Sequence, residues 1–490
     1  MMNFVGLDIG TTSIRAFAFN EDGELVSSSS HALPVSYPAP GRAEQDPRQI
    51  LRLSVQTLDD LAKQLPEPPT SLGIANQRET VTAWNRKTLD PISPAISWQD
   101  RRGEANCEEL KLQGTEEVIR NATGLTLDPY FSATKYSQIA SSLDRIRGKD
   151  VSMGTLDSWI LANLTQRNAP LTDYTNASRT SLFDIGTCQY SQTLGDLFQV
   201  PLDMLPEPIA SNALFGEIAH PDLREWRGVP IHGVLGDQQA SLLGLGCTEF
   251  GETKATLGTG TFVLANIGSR ADLRVPGIIT SIAWNFADKG STYCLEGSIF
   301  STASLLQWLT DVMGIAERTE NLSSIASSVR SSEQVTILPF FAGSGAPWWN
   351  ESASAVLGGL DSSTSKAHIA RAAYESIALQ LSEVTKRIAD SLGPTVDSLK
   401  LDGGLSNLDL LCQLIADQAN LQCDASLTAE STAFGAAMVA ATGLGAVKVE
   451  QIKAKVQTRK SFKPSQNRMA SRTRAERWNS YLGKLGLAAE

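Results

Sequence analysis

The chain opens on a rhythm of short apolar runs broken by glycine turns. Phe4 to Asp8 is an apolar strand closing on a carboxylate, Gly10-Thr11-Thr12 is a tight turn, and Ser13 to Phe19 resumes as a second strand. Glu21-Asp22-Gly23 predicts a hairpin turn into a third strand, Glu24 to Leu33. After a Pro-rich loop, Asp46-Pro47 offers an N-cap and a first-turn proline. Ile50, Leu51, Leu58, Leu61 and Leu65 then mark one apolar helical face, and Ser71 to Asn76 is a further buried strand. The opening unit reads β-β-β-α-β.

The same opening recurs near the middle. Thr253 to Leu257 predicts a strand, Gly258-Thr259-Gly260 a turn, and Thr261 to Ile267 and Ser291 to Glu296 two more strands. Helices are expected at about Phe300–Met313 and Lys366–Leu392, a strand near Leu399–Asp402, and helices near Asn407–Leu421 and Ser431–Thr442. A repeated strand–turn–strand start points to duplicated α/β domains. The boundary is expected near Gly246, giving residues 1–246 and 247–490 packed around a cleft.

Composition narrows the class. The 490 residues are 42% apolar and 19% charged, as in an ordinary globular chain long enough for more than one core. The net charge of −11 argues against a partner held by phosphate neutralisation, such as nucleic acid. That charge is uneven: from Lys448 onward eleven bases face three acids, leaving −19 on residues 1–447. The basic tail is expected to be a solvated or subunit-facing helical region. Six cysteines form no Cys-x-x-Cys pair and no secretory leader is evident, so a reduced, cytoplasmic protein is expected. Ser431 to Val447 is too weakly apolar for membrane insertion and reads as a closely packed helix. Four histidines without His-x-x-x-His spacing argue against a zinc hydrolase.

Several strand ends carry chemistry. Leu7-Asp8-Ile9-Gly10-Thr11-Thr12 puts a carboxylate beside a turn whose N–H and hydroxyl groups can face phosphate, while the carboxylate can hold magnesium. An ordinary turn is the plain alternative, but the recurrence at Gly258-Thr259-Gly260-Thr261 favours a pair of phosphate-handling turns. Neither is a Walker motif. Gly236-Asp237-Gln238-Gln239 closes one strand and opens a helix at Ala240 to Leu245, where open α/β sheets place their sites. A simple helix N-cap is the alternative there. Arg78-Glu79, after another strand, can clamp neighbouring hydroxyls or form a surface ion pair worth about 0–1 kcal/mol. Trp98 can wall a site or fill a core.

Together these segments resemble the FGGY family of carbohydrate kinases, from Asp8 to about Leu444. Gly73 to Thr80, Trp98 to Arg102 and Thr172 to Thr180 are most similar to its glycerol-phosphorylating members. Gly236 to Gln239, Gly258 to Gly260 and Asp402-Gly403-Gly404 match the common catalytic frame. The resemblance implies an α/β fold of two actin-like (RNase H-like) domains with ATP and Mg2+ in the cleft between them. It implies Asp237 as general base in the phosphorylation of glycerol, and Arg78, Glu79, Tyr130, Asp237 and Gln238 as hydroxyl-binding groups. Trp98 and Phe262 would pack on the carbon face. Thr11, Thr12, Ser13, Arg15, Gly258, Thr259, Gly403 and Gly404 would bind phosphates or nucleotide, with Asp8 and Asp237 at the metal. A homodimer or homotetramer is implied as well. Departures are Arg42, where members usually carry tryptophan, and Gln138, also in place of a tryptophan. A kinase for another small polyol or sugar (dihydroxyacetone, erythritol, xylulose) and a non-sugar actin-like ATPase remain the alternatives.

Overall fold

A computed structural model describes residues 2–143, 150–167, 169–341, 343–427, 430–466 and 468–487. Phe4–Ile9 pairs antiparallel with Ser13–Phe19, which pairs antiparallel with Leu25–Ala32. Ser71–Asn76 and then Pro230–Gly236 add parallel strands on the other side. All six residues of the first strand are buried, because it lies mid-sheet with both faces covered. The helix Pro47–Ala62 starts at the expected cap, where Asp46 accepts from the Arg48 N–H, and it buries Ile50, Leu58 and Leu61.

The second sheet repeats this order. Gly290–Ile299, Thr261–Asn266, Thr253–Leu257, Ser398–Asp402 and Gln422–Ser426 lie side by side, with parallel pairs after Thr253–Leu257. That sequence of neighbours reproduces Leu25–Ala32, Ser13–Phe19, Phe4–Ile9, Ser71–Asn76 and Pro230–Gly236 in the first sheet. The duplication is therefore topological. Two strands unannounced by the pattern extend the second sheet, Ile279–Phe286 and Thr458–Phe462. A small sheet of Glu44–Gln45, Ala95–Ile96, Val81–Asn85 and Val151–Thr155 is also present. The Trp98 segment follows its Ala95–Ile96 strand.

Some boundaries differ from expectation. The Phe300–Met313 segment narrows to the helix Ala303–Asp311, and Asn407–Leu421 becomes a 3-10 turn, Gly404–Asn407, followed by the helix Asp409–Ala419. The tail differs more. Thr458–Phe462 is an edge strand on Gln422–Ser426, and the helix Met469–Lys484 buries Trp478 and Leu482 against Leu338, Phe340 and Leu379. Apolar residues between its bases, not charge, decide where this segment lies.

The helix Ser431–Gly443 is packed as tightly as its composition predicts. Although it belongs to the second half, it lies on the first sheet. A Cβ on Gly6 would stand 1.9 Å from the Ala433 carbonyl oxygen, and one on Gly73 2.0 Å from that of Ala436. A Cβ on Gly435 would meet the Ala240 carbonyl oxygen at 1.9 Å. Only hydrogen side chains allow that approach. Among the described residues, no helix is long and apolar enough to cross a membrane, and all six cysteines are free thiols.

Candidate active site

Parallel pairing aligns strand ends, and this collects the candidate residues. In the first sheet Ile9, Asn76 and Gly236 are neighbours in register, so the Gly10–Ser13 turn, Gln77–Glu79 and Asp237 leave the same edge. In the second sheet Thr256 pairs with Asp402, which sets Gly258–Gly260 beside Gly403–Gly404. Gly403 adopts φ +81°, and a Cβ there would lie 2.6 Å from the Leu257 carbonyl oxygen. Thr12, Thr259 and Gly404 are exposed at these ends, while Ser13 and Gly258 are half-buried.

Asp8 is buried, and its carboxylate accepts from Arg15 Nη2 at 2.6 Å. Burial raises its pKa, with Arg15 opposing. The other terminal nitrogen of Arg15 sits 2.6 Å from Glu430 of the second half. Arg15 is thus clasped between two carboxylates rather than directed at open space. Asp237 occupies the first turn of the helix Asp237–Gly244, with Gly236 at the N-cap, so the simple capping alternative fails and the helix starts earlier than expected. Its Oδ1 accepts from the Gln238 N–H at 2.7 Å and lies 3.3 Å from Arg78 Nε. The side chain stays 26% exposed, open to a ligand. Burial pushes its pKa up to about 6; Arg78 opposes this, while Asp8 and Glu79 add to it.

Arg78 and Glu79 are both buried, and neither is the other's main partner, which removes the surface-pair alternative. Arg78 grips Glu296 in a fork, Nη1 to Oε2 at 2.6 Å and Nη2 to Oε1 at 2.9 Å. Arg179 donates from Nε to Glu79 at 2.6 Å and reaches Glu296 at 3.2 and 3.3 Å. Arg179 also lies over the Tyr130 ring at 5.7 Å, and Arg78 over Phe262 at 5.7 Å. Tyr130 meets Trp98 edge-on at 5.8 Å, and the Trp98 indole donates to Thr11 Oγ1 at 2.9 Å. One connected set of contacts runs from the Thr11 turn through Trp98, Tyr130, Arg179, Glu79 and Arg78 to Asp237 and Phe262. Lys135 supports it from behind, donating to the carbonyls of Pro129, Tyr130 and Phe131; burial pushes that amine down to about 8.

Gln238 is held from across the cleft. Its Oε1 accepts from buried Lys254 Nζ at 2.6 Å, and the same amine donates to Thr256. Burial lowers the Lys254 pKa, with Asp402 and Asp237 opposing. Asp402 accepts from Ser241 at 2.9 Å and from Ser431 through Oδ2, while its buried Oδ1 has no partner. Among the described residues no group of three or more His, Cys, Asp and Glu side chains converges as metal donors. Asp8 and Asp237 still fit magnesium, which commonly takes one or two protein carboxylates and completes its shell with phosphates and water.

Two actin-like halves, a carboxylate at a strand end and paired Gly/Thr turns match one description along nearly the whole chain. The FGGY family of carbohydrate kinases, N-terminal domain, covers residues 3–244, and its C-terminal domain covers residues 253–444. The chain belongs to the FGGY family of carbohydrate kinases. As an FGGY kinase it is a phosphotransferase acting on an alcohol group. The glycerol kinase of Pseudothermotoga lettingae is 39% identical over 448 residues, 90% of this chain and 89% of its own length. That of Citrifermentans bemidjiense is 38% identical over 477 residues, 96% and 95% of the two chains. The crystal structure of Plasmodium falciparum glycerol kinase with ADP superposes with a TM-score of 0.90 at 28% identity, covering 99% of this chain and 98% of that one. A xylulose kinase from Lactobacillus acidophilus gives 0.88 at 19% identity, which speaks for the fold alone.

Within this FGGY site, sequence reasoning missed Arg179, Glu296 and Lys254. Each is a single charge inside an otherwise apolar or small-residue run: Leu295-Glu296-Gly297, Ala177-Ser178-Arg179 and Thr253-Lys254-Ala255. A lone charge in a buried strand, as at Glu296 and Lys254, or in a buried turn, as at Arg179, must find a partner, and that was the available signal.

Proposed function

We propose that the protein transfers the terminal phosphoryl group of ATP to a primary hydroxyl of glycerol, giving sn-glycerol 3-phosphate. The carrying observation is the cluster of Arg78, Glu79, Asp237 and Gln238 between the aromatic rings of Trp98, Tyr130 and Phe262. A small triol offers only hydroxyls and a short carbon face, so a site that pairs each hydroxyl and covers the carbons suits it. The glycerol kinase names of the relatives support the same acceptor.

Asp237 accepts the hydroxyl proton as the oxygen bonds to phosphorus and the bond to the ADP oxygen breaks. Phosphoryl transfer demands positioning and charge neutralisation more than covalent chemistry. Arg78 holds Asp237, and Gln238 and Tyr130 orient the remaining hydroxyls. Thr11, Thr12, Ser13, Gly258, Thr259, Gly403 and Gly404 offer N–H and hydroxyl donors to the phosphates and nucleotide. Arg15 reaches phosphate by exchanging a carboxylate partner. Asp8 and Asp237 would hold magnesium, which when bound neutralises charge on the phosphates. We place the division of the chain at Gly246, with polyol groups and base in residues 1–246 and nucleotide groups in 247–490. A cytoplasmic location and a homodimer or homotetramer belong to the same proposal.

The test is ADP release by the purified protein with magnesium and ATP, offered glycerol, dihydroxyacetone, erythritol or xylulose. Turnover is expected with glycerol. Turnover with a rival acceptor and none with glycerol would replace the reading, and acceptor-independent hydrolysis alone would indicate a non-sugar ATPase.

A further inference from the structure

The polyol groups proposed above lie on the first half except Phe262, yet the geometry of Arg78 and Glu79 is set by one buried carboxylate on the strand beside that of Phe262. Glu296 sits on the strand Gly290–Ile299 with no exposed surface. It receives Arg78 through both terminal nitrogens and Arg179 through both of its own, and Ser298 Oγ adds a contact at 3.3 Å. Two guanidinium groups thus share one anion. Burial alone would raise the Glu296 carboxyl, but Arg179 and Arg78 hold it down to about 2.

We propose that Glu296 is a positioning residue for polyol recognition, fixing Arg78 directly and Glu79 through Arg179. The inference rests on the reading of the site as a polyol kinase. The donor inventory shows why the fork matters. Arg78 spends Nη1 on Glu296 and on Gln239 Oε1 at 3.2 Å, Nε faces Asp237, and one Nη2 hydrogen goes to Glu296. Both Nη1 hydrogens and one Nη2 hydrogen are spent, so the second Nη2 hydrogen and the Nε–H beside Asp237 are what Arg78 has left to offer a hydroxyl. Glu79 is fixed in the same way. Its backbone takes φ +63°, its carbonyl accepts from Ser132 Oγ at 3.2 Å, and Arg179 holds one carboxylate oxygen. Loss of the anion leaves two cations side by side in a dry space, and both relax from these directions.

The test compares wild type with Glu296→Gln, which keeps shape and removes charge. The expected result is a rise of about 30-fold in KM for glycerol, with KM for ATP within about twofold. A merely structural role would not change the ratio of the two KM values. The double variant Arg78→Gln, Glu296→Gln should raise glycerol KM by less than the product of the two single effects, because the Arg78 arm is shared while the Arg179–Glu79 arm is not. Should Glu296→Gln fail to fold, Arg179→Lys serves: it shortens the reach to Glu79 and should raise glycerol KM selectively. Unchanged glycerol KM, or an equal rise in both KM values, overturns the proposal. Absence of glycerol turnover in wild type would instead overturn the functional reading beneath it.

Discussion

Replacing Asp237 by Asn removes the proposed base while leaving its surroundings in place. The amide oxygen can still accept from the Gln238 N–H, the contact that Oδ1 makes at 2.7 Å, so the helix start should survive. What disappears is the oxygen that takes the hydroxyl proton. General-base assistance contributes about 10²–10⁴ in rate, or about 3–5 kcal/mol of barrier, and kcat should fall by that factor. The wild-type pH profile follows from the same group. A base must be ionised to act, and a carboxyl lifted to about 6 loses activity as pH falls through that value. At pH 7 roughly nine-tenths of it is ionised and at pH 5 roughly a tenth, so kcat/KM should drop about tenfold between them. Steady-state ADP release at saturating ATP measures both effects, and nucleotide binding confirms that the variant is intact. More than a tenth of wild-type kcat in the variant, or an acid limb near the ordinary carboxylate range, would refute the assignment.

Three further outcomes follow from contacts described above. Trp98→Phe keeps an aromatic wall but removes the donor to Thr11, so glycerol KM should rise about fivefold, equivalent to about 1 kcal/mol, with little change in Tm; an unaltered KM would refute this. Gly435→Ala forces a methyl group onto the Ala240 carbonyl, where a Cβ has only 1.9 Å. Overpacking of that kind costs about 1–3 kcal/mol, and thermal unfolding should show a lowered Tm. Trp478→Ala, in the basic tail, should cost about 3–5 kcal/mol in denaturant titration, because the indole is fully buried; a change within about 0.5 kcal/mol would return the tail to solvent.

Much of the fold is legible locally. The Asp46-Pro47 cap, the apolar face of Pro47–Ala62 and the repeated strand–turn–strand starts all come from short-range patterns, and the structure contains each. Ile279–Phe286 escaped because nearly all its residues are buried, so it shows no alternation of apolar and polar positions. In the site, Asp8 and Asp237 are readable because a strand end is a local event. Arg78 and Glu79 are readable as residues but not as contacts: Glu296 is 218 positions from Arg78, and Arg179 is 100 from Glu79. Arg15 is the instructive case. Its place beside a phosphate-type turn is local, whereas its clasp by Asp8 and Glu430 depends on the two halves meeting. The tail is helical and largely solvated as its charge suggests, but its apolar face, with Trp478, Leu482 and Leu485 at helical spacing, packs on the chain's own core, and charge alone did not reveal that.

The helix Ser431–Gly443 also governs how the chain can be divided. A polypeptide cut at Gly246 would leave the Gly6 and Gly73 surface of the first sheet bare, and would leave a helix buried on nearly every side with nothing to cover. The duplicated units are therefore repeats in topology but interlocked pieces in assembly. Neither fragment should be soluble alone, whereas the two produced together should reconstitute one another through this helix, which co-expression and size-exclusion chromatography would check.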